Sequence, residues 1–172
     1  MRLTKFSDYA LRVLLLAAVK SEQSVTIEEA AAFYDVSRAH LKKVVLTLSR
    51  AGFLTASRGR GGGFALALPP ERIGIGAVLR ATEPDFELVE CFGPDNRCRL
   101  SAKCGAADVL AEALSAFLAV LDRYSLRDMQ TDPAIFVRFV GGSGAASRAP
   151  VMRKAGTTGP AASPDSGQAD QG

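Results

Sequence analysis

Ser37-Arg38-Ala39-His40-Leu41-Lys42-Lys43-Val44-Val45-Leu46-Thr47-Leu48 is the stretch on which the fold turns. Leu41, Val44, Val45 and Leu48 recur at i, i+3, i+4 and i+7, the spacing of one helical face, and the Ser37 hydroxyl can cap the first free backbone amides. Ala39 and Lys43 point away from that stripe, with His40, Lys42 and Thr47 flanking it. Upstream, Thr26-Ile27-Glu28-Glu29 has the spacing of a capping box and opens a short helix through Phe33, after which Tyr34-Asp35-Val36 forms a tight turn. Two short helices, a tight turn and a second helix that is basic at its start predict a helix-turn-helix, in which the early residues of the second helix meet base edges.

Downstream, Phe53-Leu54-Thr55-Ala56-Ser57 and Phe64-Ala65-Leu66-Ala67-Leu68 read as two short strands joined by Arg58-Gly59-Arg60-Gly61-Gly62-Gly63. This is the pattern of a wing, whose arginines can enter a narrow minor groove where the negative potential is strongest. A phosphate-binding loop is not the expected reading. The run lacks the Lys-Ser/Thr of a P-loop, and Phe64 stands where a dinucleotide fingerprint needs its third glycine. A solvated face is the plainer alternative for Lys42 and Lys43, and a basic wing beside them tells against it.

Toward the N-terminus, Thr4 can cap a helix running to about Lys20, with Phe6, Ala10, Val13, Leu14 and Ala17 on one stripe and Leu11, Leu15 and Leu16 widening it. A helix apolar over so much of its circumference is expected to be buried on more than one side, which suggests a dimer. The apolar run from Val13 to Val19 is not read as a signal peptide or a membrane span. Asp8 and Arg12 interrupt the approach, no small-residue cleavage site follows, and the run falls short of the roughly 18 apolar residues a span requires. The chain is expected to be cytoplasmic and to have no membrane partner.

The 172 residues include 48% hydrophobic and 23% charged, which excludes a collagenous or wholly disordered class and fits a globular chain. Net charge is +3, but residues 1–80 hold 12 Lys/Arg against 6 Asp/Glu, and residues 81–130 hold 5 against 9. That asymmetry favours a polyanion-binding front end. Pro69-Pro70 closes the wing, and Ile73 to about Ala81 reads as a further helix. Thr82 to Lys103 reads as a loop. From about Cys104 a long helix resumes, with Leu110, Leu114, Phe117, Leu118, Leu121 and Tyr124 on a stripe that a second copy could bury across a twofold axis. Phe136-Val137-Arg138-Phe139-Val140 is an apolar run with no assigned place, and from Gly141 the Gly/Ala/Ser/Pro-rich chain is expected to be disordered. The expected class is mainly α with a small β-hairpin wing. A winged helix-turn-helix domain spans 1–80, a cysteine-containing loop 81–104, a dimerisation helix 105–130 and a mostly disordered tail 131–172.

Cys91, Cys98 and Cys104 are spaced C-x6-C-x5-C, without the paired C-x2-C knuckles of common zinc sites. An odd count cannot pair fully within one chain, and a reducing compartment disfavours structural disulfides. Three thiolates with one oxygen or nitrogen ligand could hold an iron–sulfur cluster with a labile corner. Cluster-free thiol switching, or a response to a metabolite, is the alternative. An enzyme using a cysteine nucleophile is weakly supported, because the sole histidine, His40, lies on the helix-turn-helix.

The segments Leu3-Thr4-Lys5-Phe6-Ser7-Asp8-Tyr9-Ala10-Leu11-Arg12, Val36 to Val44, Leu48-Ser49-Arg50-Ala51-Gly52 and Arg58 to Gly63, followed by three cysteines, resemble the NsrR family of nitric-oxide-sensing repressors. That family lies within a superfamily of iron–sulfur winged-helix regulators that also includes IscR-like members. The resemblance covers about residues 1–130. It implies a homodimer in which Cys91, Cys98 and Cys104 ligate a [4Fe-4S] or [2Fe-2S] cluster and Asp8 of the partner subunit completes it. It also implies that nitric oxide relieves repression of detoxification genes. IscR-like members carry a histidine three residues after the last cysteine, where this chain has Ala107, and the first cysteine gap is slightly longer than is usual in the family. On double-stranded operator DNA, Ala39, His40 and Lys43 are the candidates for base edges, Arg58 and Arg60 for the minor groove, and Ser37, Arg38 and Lys42 for phosphates. Asp8, in the first helical turn, is equally favoured by the helix dipole without any metal.

Overall fold

The computed structural model describes residues 2–20, 23–57, 62–100 and 103–130. Arg58 and Arg60 at the wing tip, and the tail 131–172 with its apolar run, lie outside the described residues.

Helix α1 (Lys5–Val19) starts where Thr4 accepts the Ser7 amide, and its residues Ala10, Val13, Leu14, Leu16, Ala17 and Ala18 are buried. Helix α2 (Ile27–Tyr34) opens on a complete capping box. Thr26 Oγ1 accepts the Glu29 amide at 3.1 Å and the Glu29 carboxylate accepts the Thr26 amide at 2.8 Å. The turn is made at Asp35, whose φ of 52° is left-handed, a conformation that aspartate tolerates better than most residues. Helix α3 (Arg38–Arg50) begins at the expected cap, with Ser37 Oγ accepting the His40 amide at 3.3 Å, and buries Leu41, Val44, Val45 and Leu48.

The hairpin is shorter than its apolar pattern suggests, with β1 (Leu54–Ala56) and β2 (Phe64–Leu66) pairing antiparallel through Leu54↔Leu66 and Ala56↔Phe64. Phe64 is fully buried and does more than close the hairpin. It exchanges two 2.8 Å backbone hydrogen bonds with Val25, just ahead of α2, so the wing root is sewn to the helix-turn-helix. Gly63 permits that approach, because a Cβ there would lie 2.6 Å from the Val25 carbonyl oxygen. The last glycine of the run therefore serves the fold.

Helix α4 (Ile75–Thr82) and α1 pack on α3, and the core gathers Phe64, Leu14, Leu41, Leu48, Ile73 and Val78. Helix α1 packs on α3, α4 and β2 of its own chain. Most of its wide apolar stripe is thereby buried within one chain, while Phe6, Leu11 and Leu15 remain half-buried.

Helix α5 (Gly105–Asp122) has no buried residue along its 18 residues. Its foot is rooted in the head. The Ile75 amide bonds the Tyr124 carbonyl at 2.9 Å, the Leu126 amide bonds the Ile73 carbonyl at 2.8 Å, and Leu126 is fully buried in the core. An Arg80–Asp122 fork, at 2.5 and 2.7 Å, ties α4 to the last turn of α5. It raises the already high pKa of the guanidinium and holds the Asp122 carboxyl below the usual range, the side-chain hydrogen bond being the main cause on both sides.

Of the apolar stripe expected to meet a second copy, Leu114 and Leu118 turn toward the chain's own cysteine loop and Leu121 toward the core, Leu110 and Phe117 are half-buried, and Tyr124 is exposed. A separate face of Val109 (66% exposed), Ala113, Ala116 and Val120 also stands outward. No helix among the described residues is long and apolar enough to cross a membrane.

Candidate nucleic-acid interface and cysteine loop

Burial of Leu41, Val44, Val45 and Leu48 rotates the opposite side of α3 outward, so that Ser37, Arg38, Ala39, His40, Lys42 and Lys43 are all exposed. Leu46, 49% exposed, continues the same face, an apolar contact that charge and polarity alone do not point to. The Arg38 guanidinium lies 3.9 Å from the Glu28 carboxylate of α2. Lys42 and Lys43 enter no ion pair among the described residues, which leaves their charge available to phosphate.

Asp8 stands on an exposed part of α1, where the Arg12 guanidinium forks onto it with Nε–Oδ1 at 3.0 Å and Nη2–Oδ2 at 2.8 Å. Arg12 also lies 5.9 Å from the ring centroids of Tyr9 and Tyr34. The Tyr34 hydroxyl donates to the Arg12 carbonyl at 2.8 Å, and burial pushes its pKa up to about 12, so it remains a protonated donor. Tyr9 in turn meets His40 with ring centroids 6.4 Å apart. One cluster thus connects Asp8 to α2 and to the first turn of α3. The i, i+4 spacing of Asp8 and Arg12 signals their pairing, but nothing local in the sequence signals the reach of Tyr9 to His40.

A second polar joint fixes the start of α1. The Glu83 carboxylate at the end of α4 accepts the Thr4 amide at 2.9 Å. Ser7 and Thr82 hydroxyls lie 2.8 Å apart and buried, and since Thr82 donates to the Val78 carbonyl, Ser7 is the donor between them. The cysteine loop leaves α4 at this joint.

Cys91 lies in a 3-10 turn, Glu90–Phe92, and is half-buried; Cys98 is exposed; Cys104 is half-buried at the N-cap of α5. None is in a disulfide. Glu90 folds the loop back by accepting the Arg97 amide at 2.9 Å. Among the described residues, no three His, Cys, Asp or Glu side chains converge as a metal site would require. Asp8 is engaged by Arg12 rather than by the thiols of its own chain. As a donor set, three sulfurs on one loop fit iron–sulfur chemistry, with one further ligand to be supplied from elsewhere.

Residues 3–132 match the Rrf2 family model, described as an iron-dependent transcriptional regulator. The chain is similar to the HTH-type transcriptional regulator NsrR of Bacillus subtilis (strain 168), 49% identical over 131 residues that cover 75% of this chain and 90% of that protein. It is 50% identical over 131 residues to NsrR of Bacillus licheniformis, covering 75% and 92% respectively. Among solved structures, T. potens IscR superposes with a TM-score of 0.60 at 22% identity, covering 75% of this chain and 85% of that one. CymR (YrzC), the global cysteine regulator of B. subtilis, does so with 0.60 at 23% identity over 77% and 99%. Both superpositions concern the mainly α, winged-helix fold.

Proposed function

The chain belongs to the Rrf2 family and is a DNA-binding transcriptional repressor rather than an enzyme, and from that premise we propose that it is a cytoplasmic homodimer responding to nitric oxide through an iron–sulfur cluster. Cys91, Cys98 and Cys104 of one subunit and Asp8 of the partner subunit would hold the cluster. The observation that carries this reading is the similarity to NsrR regulators over about nine-tenths of their length, in a chain whose three thiols share the loop between α4 and α5. When bound, the group supplies iron that reacts with nitric oxide.

The protein's own part is positional. Val109, Ala113, Ala116 and Val120 form the outward face on which two α5 helices pair. Asp8 would divide its carboxylate between Arg12 and the cluster held by the partner subunit's thiols, and Arg12, packed between Tyr9 and Tyr34, would pass that engagement to His40 and α3. The cluster favours DNA binding only as far as it binds the DNA-competent arrangement more tightly, and by linkage operator DNA stabilises the cluster-bound dimer in return. On DNA, Ala39, His40 and Lys43 read bases, Ser37, Arg38 and Lys42 hold phosphates, and Arg58 and Arg60 enter the minor groove.

The test is anaerobic reconstitution with iron and sulfide, followed by a visible spectrum, metal analysis and operator binding before and after nitric oxide. Charge-transfer absorption and tight binding that nitric oxide abolishes are expected. Equal operator affinity with cluster, without cluster and after nitric oxide overturns the reading, and a response to peroxide in the iron-free protein replaces it with thiol switching.

A further inference from the structure

An open groove of about 640 Å³ runs between the cysteine loop and the middle of α5. Phe86 and Phe92 form one wall, Leu114 and Leu118 the other, and the rim carries Asp85 and Glu87. Neither carboxylate is in an ion pair among the described residues. The groove is not the outward face of α5: at 3.6 residues per turn, Leu114 and Leu118 lie roughly 150° around the helix from Val109, Ala113, Ala116 and Val120.

What lies beyond the described residues supplies an occupant. The 42 residues 131–172 follow Gln130 at the foot of α5. They contain one run of large apolar residues, Ile135-Phe136-Val137-Arg138-Phe139-Val140; Val151-Met152 is the only other pair. Asp132-Pro133 before the run and Gly141-Gly142 after it are helix start and stop signals, and Ile135, Phe136, Phe139 and Val140 fall on one face at helical spacing. The five residues of extended chain from Gln130 to Ile135 span up to about 17 Å. Charge also matches, since the single ionisable residue of the run, Arg138, is basic and the rim is acidic.

We propose that residues 135–140 pack into this groove of their own chain, apolar side chains against Phe86, Phe92, Leu114 and Leu118 and Arg138 toward Asp85 and Glu87. Docked there, the segment braces the loop that carries Cys91, whether or not the thiols hold metal. The run lies beyond residues 3–132, which match the family model.

Hydrogen–deuterium exchange on the full chain tests it, comparing the wild type with Phe136→Ser/Phe139→Ser and with Arg138→Glu. Residues 135–140 should exchange at least about tenfold more slowly than residues 155–165 in the wild type. The double substitution should remove that protection and speed exchange in residues 85–92, with α3 unchanged; Arg138→Glu should do so partially, and Glu87→Lys should restore it. Three results overturn the proposal: wild-type exchange of residues 135–140 at the rate of the distal tail, unchanged exchange in residues 85–92 on substitution, or protection that survives substitution and rises with protein concentration, which would make a second copy the occupant.

Discussion

Lys42 and Arg38 both stand on the exposed side of α3, yet their charges are not equally available. Arg38 has Glu28 within 3.9 Å, and Lys42 has no ionic partner among the described residues. Lys42→Ala should therefore lower the slope of log affinity against log salt by about 0.9, uniformly across operator sequences, and Arg38→Ala by less. Equal slopes for wild type and Lys42→Ala, measured by a salt titration of operator binding, would remove Lys42 from the phosphate contacts. At this scale the sequence is informative where an interaction is local. The Thr26–Glu29 box, the Ser37 cap and the Asp8–Arg12 pair all lie within four residues and follow from spacing. The Tyr9–His40 contact and the Ser7–Thr82 bond join residues 31 and 75 positions apart, and only the packing of α1 on α3 and α4 reveals them.

At the level of elements, α4 meets α5 through a glycine. A Cβ on Gly76 would fall 1.9 Å from Asp122 Oδ1 and 2.8 Å from Arg80 Nη1, inside the fork that joins the two helices. Both atoms are the ends of exposed side chains that can rotate away, so Gly76→Ala should displace the fork and cost no more than loss of the ion pair itself. Its melting temperature should fall no further than that of Asp122→Asn; a larger fall, with faster amide exchange along residues 105–122, would show that the two helices are forced apart. The helices themselves were largely legible, because each has a cap and a periodic stripe. Their partners were not. A wide stripe on α1 reads equally as a dimer face or as a helix central to its own domain; the three-sided packing on α3, α4 and β2 accounts for most of it and leaves Leu11 and Leu15 half-buried. Beside the stripe of α5 lies a second, outward face that the sequence did not signal, because alanines at positions 113 and 116 carry little apolar signal. The Val25–Phe64 pairing is a single bridge, too short to leave any alternation in sequence.

For the whole molecule, the proposed ligand set makes a prediction that no single chain can satisfy. Dimers of Asp8→Ala or of Cys98→Ser should each lack a complete site. A mixed dimer of the two should regain one, formed by the three thiols of the Asp8→Ala subunit and Asp8 of the Cys98→Ser subunit. Iron content near half that of the wild type in isolated mixed dimers is the expected result, and iron no higher than in either parent would place all the ligands within one chain. The family was legible from the combination of motifs. The arrangement of the thiols was not, since their spacing sets how far apart they can be and not where the loop folds. Glu90 accepting the Arg97 amide closes part of that loop, an anchor that neither cysteine gap announces.

The backbone bonds between Ile73–Ile75 and Tyr124–Leu126 give α5 the mechanics of a beam clamped at one end. Its 18 residues are about 27 Å long, so a tilt of roughly 10° at the clamp carries the Cys104 end through about 5 Å. Gearing runs in both directions. A displacement of several ångströms among the thiols would reach the DNA-reading head as a rotation of only a few degrees, and in the proposed homodimer two heads on paired beams would convert that rotation into a change in the distance between their α3 helices. Half-site spacing on a duplex is fixed by its helical repeat, so register rather than local contact is the quantity that such a beam is built to alter.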